Sequence, residues 1–158
     1  MQHRMKTHPL SAEEIALLLD RATVATLASL NADGSPYTVP IHFVYSGGAI
    51  YFHGLPAGQK VENLQRDPRA SFNVYHMDGL LYDPDGKPCD TNTKYQSVVV
   101  QGQVVFLSDP TEKETVLRSI IRKYTPHLAA KELPAPMVKG TAVAKLNIAS
   151  ITGKYYDE

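Results

Sequence analysis

Apolar and polar positions alternate from Ala49 to His53. Ile50 and Phe52 fall on one side and Tyr51 and His53 on the other, the period-two signature of a half-buried strand. The same reading assigns strands to residues 24–30 and 36–45, with Asn31-Ala32-Asp33-Gly34 turning the first into the second. Ser46-Gly47-Gly48 then turns the second into the third. A fourth strand is expected at 70–75 and a long fifth at 95–107, with Gly102 as a bulge or point of close approach. A sixth is expected at 141–148, with a short tail at 151–154.

Helical spacing appears in three places. Ser11 and Glu14 form a capping box ahead of Ile15, Leu18 and Leu19, predicting a helix that ends near Arg21. Gln59 to Arg66 reads as two turns that carry Val61 and Leu64 inward and stop at Asp67-Pro68. Asp109-Pro110-Thr111-Glu112 opens the main helix, with Val116, Leu117, Ile120 and Ile121 on one stripe and an end at Thr125-Pro126. Residues 1–9 read as a disordered or loosely docked leader, and 128–139 as a connection of no definite form. The stretch 76–94, rich in Asp, Pro and Gly, is too long for a hairpin loop and reads as a functional flap or a disordered segment.

Six strands joined by hairpins rather than by helical crossovers predict a mainly β fold, a small antiparallel barrel with peripheral helices. At 158 residues, with 43% apolar and 20% charged content, the chain is expected to form one domain over 1–158. Sixteen basic and sixteen acidic residues balance, which argues against nucleic acid as a partner. A near-zero charge also leaves association with an identical chain electrostatically unopposed. One cysteine, no apolar run of membrane-spanning length and no signal-peptide core make the cytoplasm the expected location, with no membrane partner.

Lys60 is the first candidate for chemistry. It stands at the start of the two-turn helix, where unpaired N–H groups and the macrodipole favour an anion. A solvated surface lysine is the plainer alternative. His42 and His53 fall on adjacent strands, each able to meet a ligand carbonyl or ring nitrogen, or to be an ordinary half-buried strand histidine. With 46–48 as the loop, Phe43 pairs near Ile50 or Tyr51, placing the two histidines toward opposite ends of the hairpin. A shared metal is therefore not expected, and the remaining histidines lack ligand spacing. Cys89 has no local base and reads as inert.

The ordered set Ala25-Thr26-Leu27-Ala28, Asp33-Gly34-x-Pro36-Tyr37-x-Val39-Pro40-Ile41, Ile50-Tyr51-Phe52-His53-Gly54, Gly58-x-Lys60-x-x-Asn63-Leu64, Asp67-Pro68-Arg69 and Tyr95-x-Ser97-Val98-Val99-x-x-Gly102 resembles the flavin-binding split-barrel superfamily of pyridoxamine 5′-phosphate oxidase. Within it, the chain is most similar to the nitroimidazole-resistance (NimA-like) group. The resemblance implies a six-stranded antiparallel split barrel, a homodimer with FMN at the subunit seam, and an FMN-dependent oxidoreductase reducing a small flat acceptor such as a nitroaromatic. NAD(P)H is the candidate electron donor. By the same resemblance Lys60 and its neighbour Gln59 hold the phosphate, Val39, Pro40, Ile41 and His42 line the flavin, and His53 and Gly54 sit beside phosphate and ribityl chain or, as in the nitroimidazole group, face the flavin. Ser97 and Val98 contribute from the fifth strand, and His53 is the candidate catalytic residue. The true oxidase carries an arginine and a lysine along the second strand where Thr38 and Phe43 stand here, which disfavours pyridoxamine-phosphate oxidation. A non-catalytic FMN or haem module and a deazaflavin-dependent reductase stay open.

Overall fold

The computed structural model describes residues 3–157. Seven antiparallel strands form one sheet in the spatial order β2-β1-β5-β6-β7-β4-β3. They are β1 (Ala25–Leu30), β2 (Pro36–Ile41), β3 (Phe43–Ser46), β4 (Ala49–Gly54), β5 (Arg69–Leu81), β6 (Asn92–Phe106) and β7 (Ala142–Tyr156). The two edge strands, β2 and β3, are consecutive in sequence and meet at His42. The sheet therefore curls until the chain itself joins its edges, which is a split barrel. The expected single strand over 36–45 is two strands, and this break is the difference between six and seven. Its inner face holds Leu27, Phe43, Ile50, Phe52, Phe72, Val74, Val98, Val100 and Leu146, all essentially inaccessible to solvent.

Helices α1 (Arg4–Thr7), α2 (Ala12–Arg21), α3 (Gln59–Arg66), α4 (Pro110–Tyr124) and α5 (Ala135–Gly140) lie around the barrel. The capping box at α2 is complete, with Ser11 Oγ accepting from Glu14 N–H and Glu14 accepting from Ser11 N–H. On α4, Val116 and Ile120 pack on Val44 and Val143 in a second apolar cluster outside the barrel, while Leu117 and Ile121 are only half-buried.

Three expectations change, and of the two readings of the leader the docked one holds. The leader, as far as it is described, is docked: Pro9 bridges Lys154, and Tyr155 N–H donates to the His8 carbonyl. Residues 1 and 2 lie outside the described part. The 76–94 segment is not a disordered coil in the main, because β5 and β6 stay paired out to Leu81 and Asn92, past a bulge between Met77 and Gly79. Cross-strand hydrogen bonds carry this arm through a composition that reads as loop. The connection after α4 holds a 3₁₀ turn (Pro126–Leu128) and α5. The final strand continues to Tyr156, so the expected tail pairs with β6 throughout.

Gly102 is a close-approach point at a bulge, as its position in the strand suggested. The β6–β7 register shifts between Gln101 and Gly102, and a Cβ at Gly102 would overlap the backbone carbonyl of Asn147.

Candidate functional site

The β3–β4 hairpin sets the site. Ser46 pairs with Ala49 across a two-residue Gly47-Gly48 turn in which both glycines have positive φ, 55° and 73°. Two consecutive positive φ values are what a tight turn between right-twisted strands requires. The loop is thus one residue shorter than expected, and Phe43 pairs with Phe52. One step beyond that pair, His42 and His53 come face to face at the same end of the hairpin. The expected separation of the two histidines is therefore incorrect.

At His42 the strand must leave β1 and join β4, which frees backbone groups. Tyr124, the last residue of α4, takes them up. Its hydroxyl accepts from Phe43 N–H at 2.9 Å and is placed to donate to the carbonyls of Thr23 (2.9 Å) or Phe43 (3.0 Å). Its ring stacks on His42 with centroids 4.4 Å apart. Nothing near Tyr124 in sequence marks this role, since its partners lie 81 and 101 residues away.

Beside this corner lies a cleft of about 380 Å³ lined by Val24, Pro40, Ile41, His42, His53 and Lys60. Lys60 reaches it from the first turn of α3, whose N-cap, Gly58, supplies no side-chain cap. Its ammonium lies against the end of β4, where a Cβ on Gly54 would be only 3.3 Å away, and 5.6 Å from the centre of the Phe52 ring. Burial pulls the Lys60 pKa below its ordinary value. His53 is pulled down as well, first by burial and then by the charges of Lys60 and His42. Its Nδ1 is buried with no hydrogen-bond partner. The cleft thus gathers three basic side chains, one orphaned ring nitrogen and no carboxylate.

These features fit a phosphorylated flavin. A half-buried ammonium without a counter-ion, beside uncapped helix N–H groups, wants an anion, and an unpaired buried nitrogen wants a polar partner.

The other expected site residues are dispersed. Val39 faces the core from β2, and Val98 is fully buried in it. Ser97, on the opposite face of β6 from Val98, pairs across the sheet with Tyr75 and Lys154, and its buried Oγ lacks a partner. Gln59 lines a smaller depression with Asn31, Ala32, Asp33 and Tyr37. Thr38 is exposed and Phe43 is in the core, so the latter position turns away from the cleft. Cys89 is exposed in a 3₁₀ turn at the far end of the β5–β6 arm. Among the described residues no group of three or more His, Cys, Asp or Glu side chains is placed to hold a metal. No described helix is long and apolar enough to cross a membrane.

The family model for pyridoxamine 5′-phosphate oxidase matches residues 11–155. A candidate 5-nitroimidazole antibiotic resistance protein from Bacteroides thetaiotaomicron superposes with a TM-score of 0.80 at 27% identity, over 92% of this chain and 85% of that one. A flavocytochrome from Azotobacter vinelandii (TM-score 0.86, 24% identity, 99% of this chain and 73% of that one) shares the fold. So does an FAD and heme binding protein from Mycobacterium smegmatis (0.84, 22%, 94% and 72%). An uncharacterized protein of Rhizobium meliloti is 29% identical over 94 residues, 60% of this chain and about half (53%) of that relative. The chain belongs to the pyridoxamine 5′-phosphate oxidase family, an oxidoreductase-like family of flavin-binding split barrels.

Proposed function

We propose that this protein is an FMN-dependent oxidoreductase that reduces a small, flat acceptor, with a nitroaromatic as the model substrate. The observation that carries the reading is the cleft at the β2–β3 corner, where Lys60, His42 and His53 converge without an acidic residue. A phosphate monoester placed there meets the Lys60 ammonium, which the first turn of α3 carries into the cleft. Pro40, Ile41 and Val24 form the apolar wall against which a planar ring is shielded from water. His53, held neutral near pH 7 by its surroundings, offers Nδ1 to a polar group of cofactor or acceptor. Bound flavin supplies the electron and hydride chemistry, with NAD(P)H as donor, and the protein supplies orientation.

The cleft is open on one side, which suits the homodimer expected from the resemblance, with a second copy completing the wall. Similarity to a candidate nitroimidazole-resistance protein supports the choice of acceptor class. The test is direct. Purified protein is titrated with FMN and followed by flavin absorbance, then supplied with NAD(P)H and a nitroimidazole under anaerobic conditions. Failure to bind FMN defeats the reading; binding without acceptor reduction restricts it to a binding module. Sedimentation analysis with and without FMN tests the dimer.

A further inference from the structure

Asn63 is fully buried, yet it is a polar side chain in the middle of a two-turn helix. All its hydrogen-bonding positions are filled. Nδ2 donates to Asn31 Oδ1 at 2.9 Å and to Ser29 Oγ at 3.3 Å. Oδ1 accepts from Gln59 Nε2 and from the Arg66 guanidinium, each at 3.0 Å. The two residues that donate to it are tied to the same part of the barrel. Gln59 also reaches Asn31 Oδ1 at 3.2 Å, and Arg66 reaches the Leu30 carbonyl at 2.6 Å. One amide thus links both ends of α3 to the end of β1 and the turn that follows it.

Such a link has mechanical consequences. An isolated helix of eight residues is far below the roughly 12–15 needed for stability in water, so α3 takes its pose from its contacts. Val61 and Leu64 anchor it by burial, which is non-directional and tolerates sliding along the axis. Hydrogen bonds restrict both angle and distance, so the Asn63 set fixes what burial leaves loose. Lys60 lies three residues before Asn63, on a neighbouring part of the helix surface. Its ammonium reaches the cleft only if α3 keeps its axial position beside Gly54.

We propose that Asn63 is a positioning residue that sets where the Lys60 ammonium stands in the cleft, acting through α3 without touching the ligand. The inference rests on the FMN reading of that cleft, with Lys60 at the phosphate. Its signature is selective. Misplacing Lys60 weakens recognition of the phosphate and leaves recognition of the ring unchanged.

The test compares FMN with riboflavin, which lacks the phosphate, by fluorescence titration of wild type, Asn63→Ala, Lys60→Met and the double variant. Wild type is expected to prefer FMN by tenfold or more. Asn63→Ala should lose about tenfold in FMN affinity while its riboflavin affinity stays within twofold, and it should cost nothing further in the Lys60→Met background. An unchanged FMN-to-riboflavin ratio, an equal loss for both ligands, or an additive loss in the double variant overturns the proposal. A wild type that does not distinguish the two ligands, or binds neither, overturns the cleft reading and the proposal together. If Asn63→Ala does not fold, Asn63→Asp, which keeps the accepting half of the amide for Gln59 and Arg66, is put through the same comparison. An FMN-to-riboflavin ratio for that variant equal to wild type's, or one that falls further in the Lys60→Met background as repulsion by the new carboxylate would make it, overturns the proposal; a reduced ratio with no further fall in that background supports it.

Discussion

Replacing Lys60 by Met separates two consequences of one buried charge. Met keeps most of the stem and removes the ammonium. In the ligand-free protein that ammonium is half-buried, forms no ion pair with a described residue and is partly desolvated, as its lowered pKa records. Among the described residues its ring contact is with Phe52 at 5.6 Å, near the long end of the cation–π range and worth about 0.5–1 kcal/mol at that distance. Removing the ammonium relieves the desolvation and forfeits the ring contact, two opposing effects, and the free protein should be little changed or more stable by up to about 1 kcal/mol. For a chain of this size that is a rise of roughly 2–4 °C at most in Tm. On the proposed reading of the cleft, the balance reverses with FMN. A charge-assisted hydrogen bond of about 1.5–3 kcal/mol is lost, which weakens binding roughly 10- to 150-fold. Scanning calorimetry of the free protein and fluorescence titration with FMN read the two effects separately. An FMN dissociation constant within twofold of wild type would refute the reasoning, and so would a free protein that melts well below wild type.

Three further outcomes follow from the geometry. Tyr124→Phe keeps the ring on His42 but leaves the Phe43 N–H without its acceptor; a loss of about 1–3 kcal/mol is expected in urea unfolding, and a midpoint equal to wild type would contradict the corner's dependence on that hydroxyl. Gly102→Ala forces β6 and β7 apart at the bulge and should destabilise by roughly 1–3 kcal/mol or more, read as a drop in Tm; an unshifted Tm would show that the bulge absorbs a methyl group. His53 binds its proton less tightly folded than unfolded, so stability associated with it is complete above its ordinary 6.5 and is lost as pH falls through the lower folded value. Melting curves from pH 7.5 to 5 should therefore flatten in His53→Asn relative to wild type, and parallel curves would count against a buried neutral imidazole.

Local chemistry made much of this fold readable. The capping box at Ser11, the limits of α3 and the turn glycines all obey rules confined to a few residues, so they can be recognised without the rest of the chain. The break at His42 obeys no such rule. Val39 to Tyr45 looks continuous, and what permits the break is a hydroxyl on a helix 81 residues later. The meeting of His42 and His53 in one cleft was hidden by a one-residue difference in loop length, which in a strand moves every partner by one place. The β5–β6 arm was hidden by composition, because Asp, Pro and Gly crowd its tip while ladder hydrogen bonds sustain its stem. The position of Lys60 in the first turn of α3 was legible from the sequence. The supporting role of Asn63 was not, since its partners Ser29 and Asn31 come from a different strand and turn.

Outside its own hairpin, β4 pairs only with β7, through contacts such as Ala49 with Asn147 and His53 with Val143. A ribosome-bound chain that has emerged only through α4 therefore holds both histidines, Lys60 and the Tyr124 contact at the corner, yet lacks the strand that pairs β4 into the sheet. Such partners, distant in sequence, join late because the intervening chain must first be gathered in. On the proposed flavin reading, full capture during synthesis waits for residues 142–156, and a nascent polypeptide halted earlier should bind flavin more weakly than the finished chain.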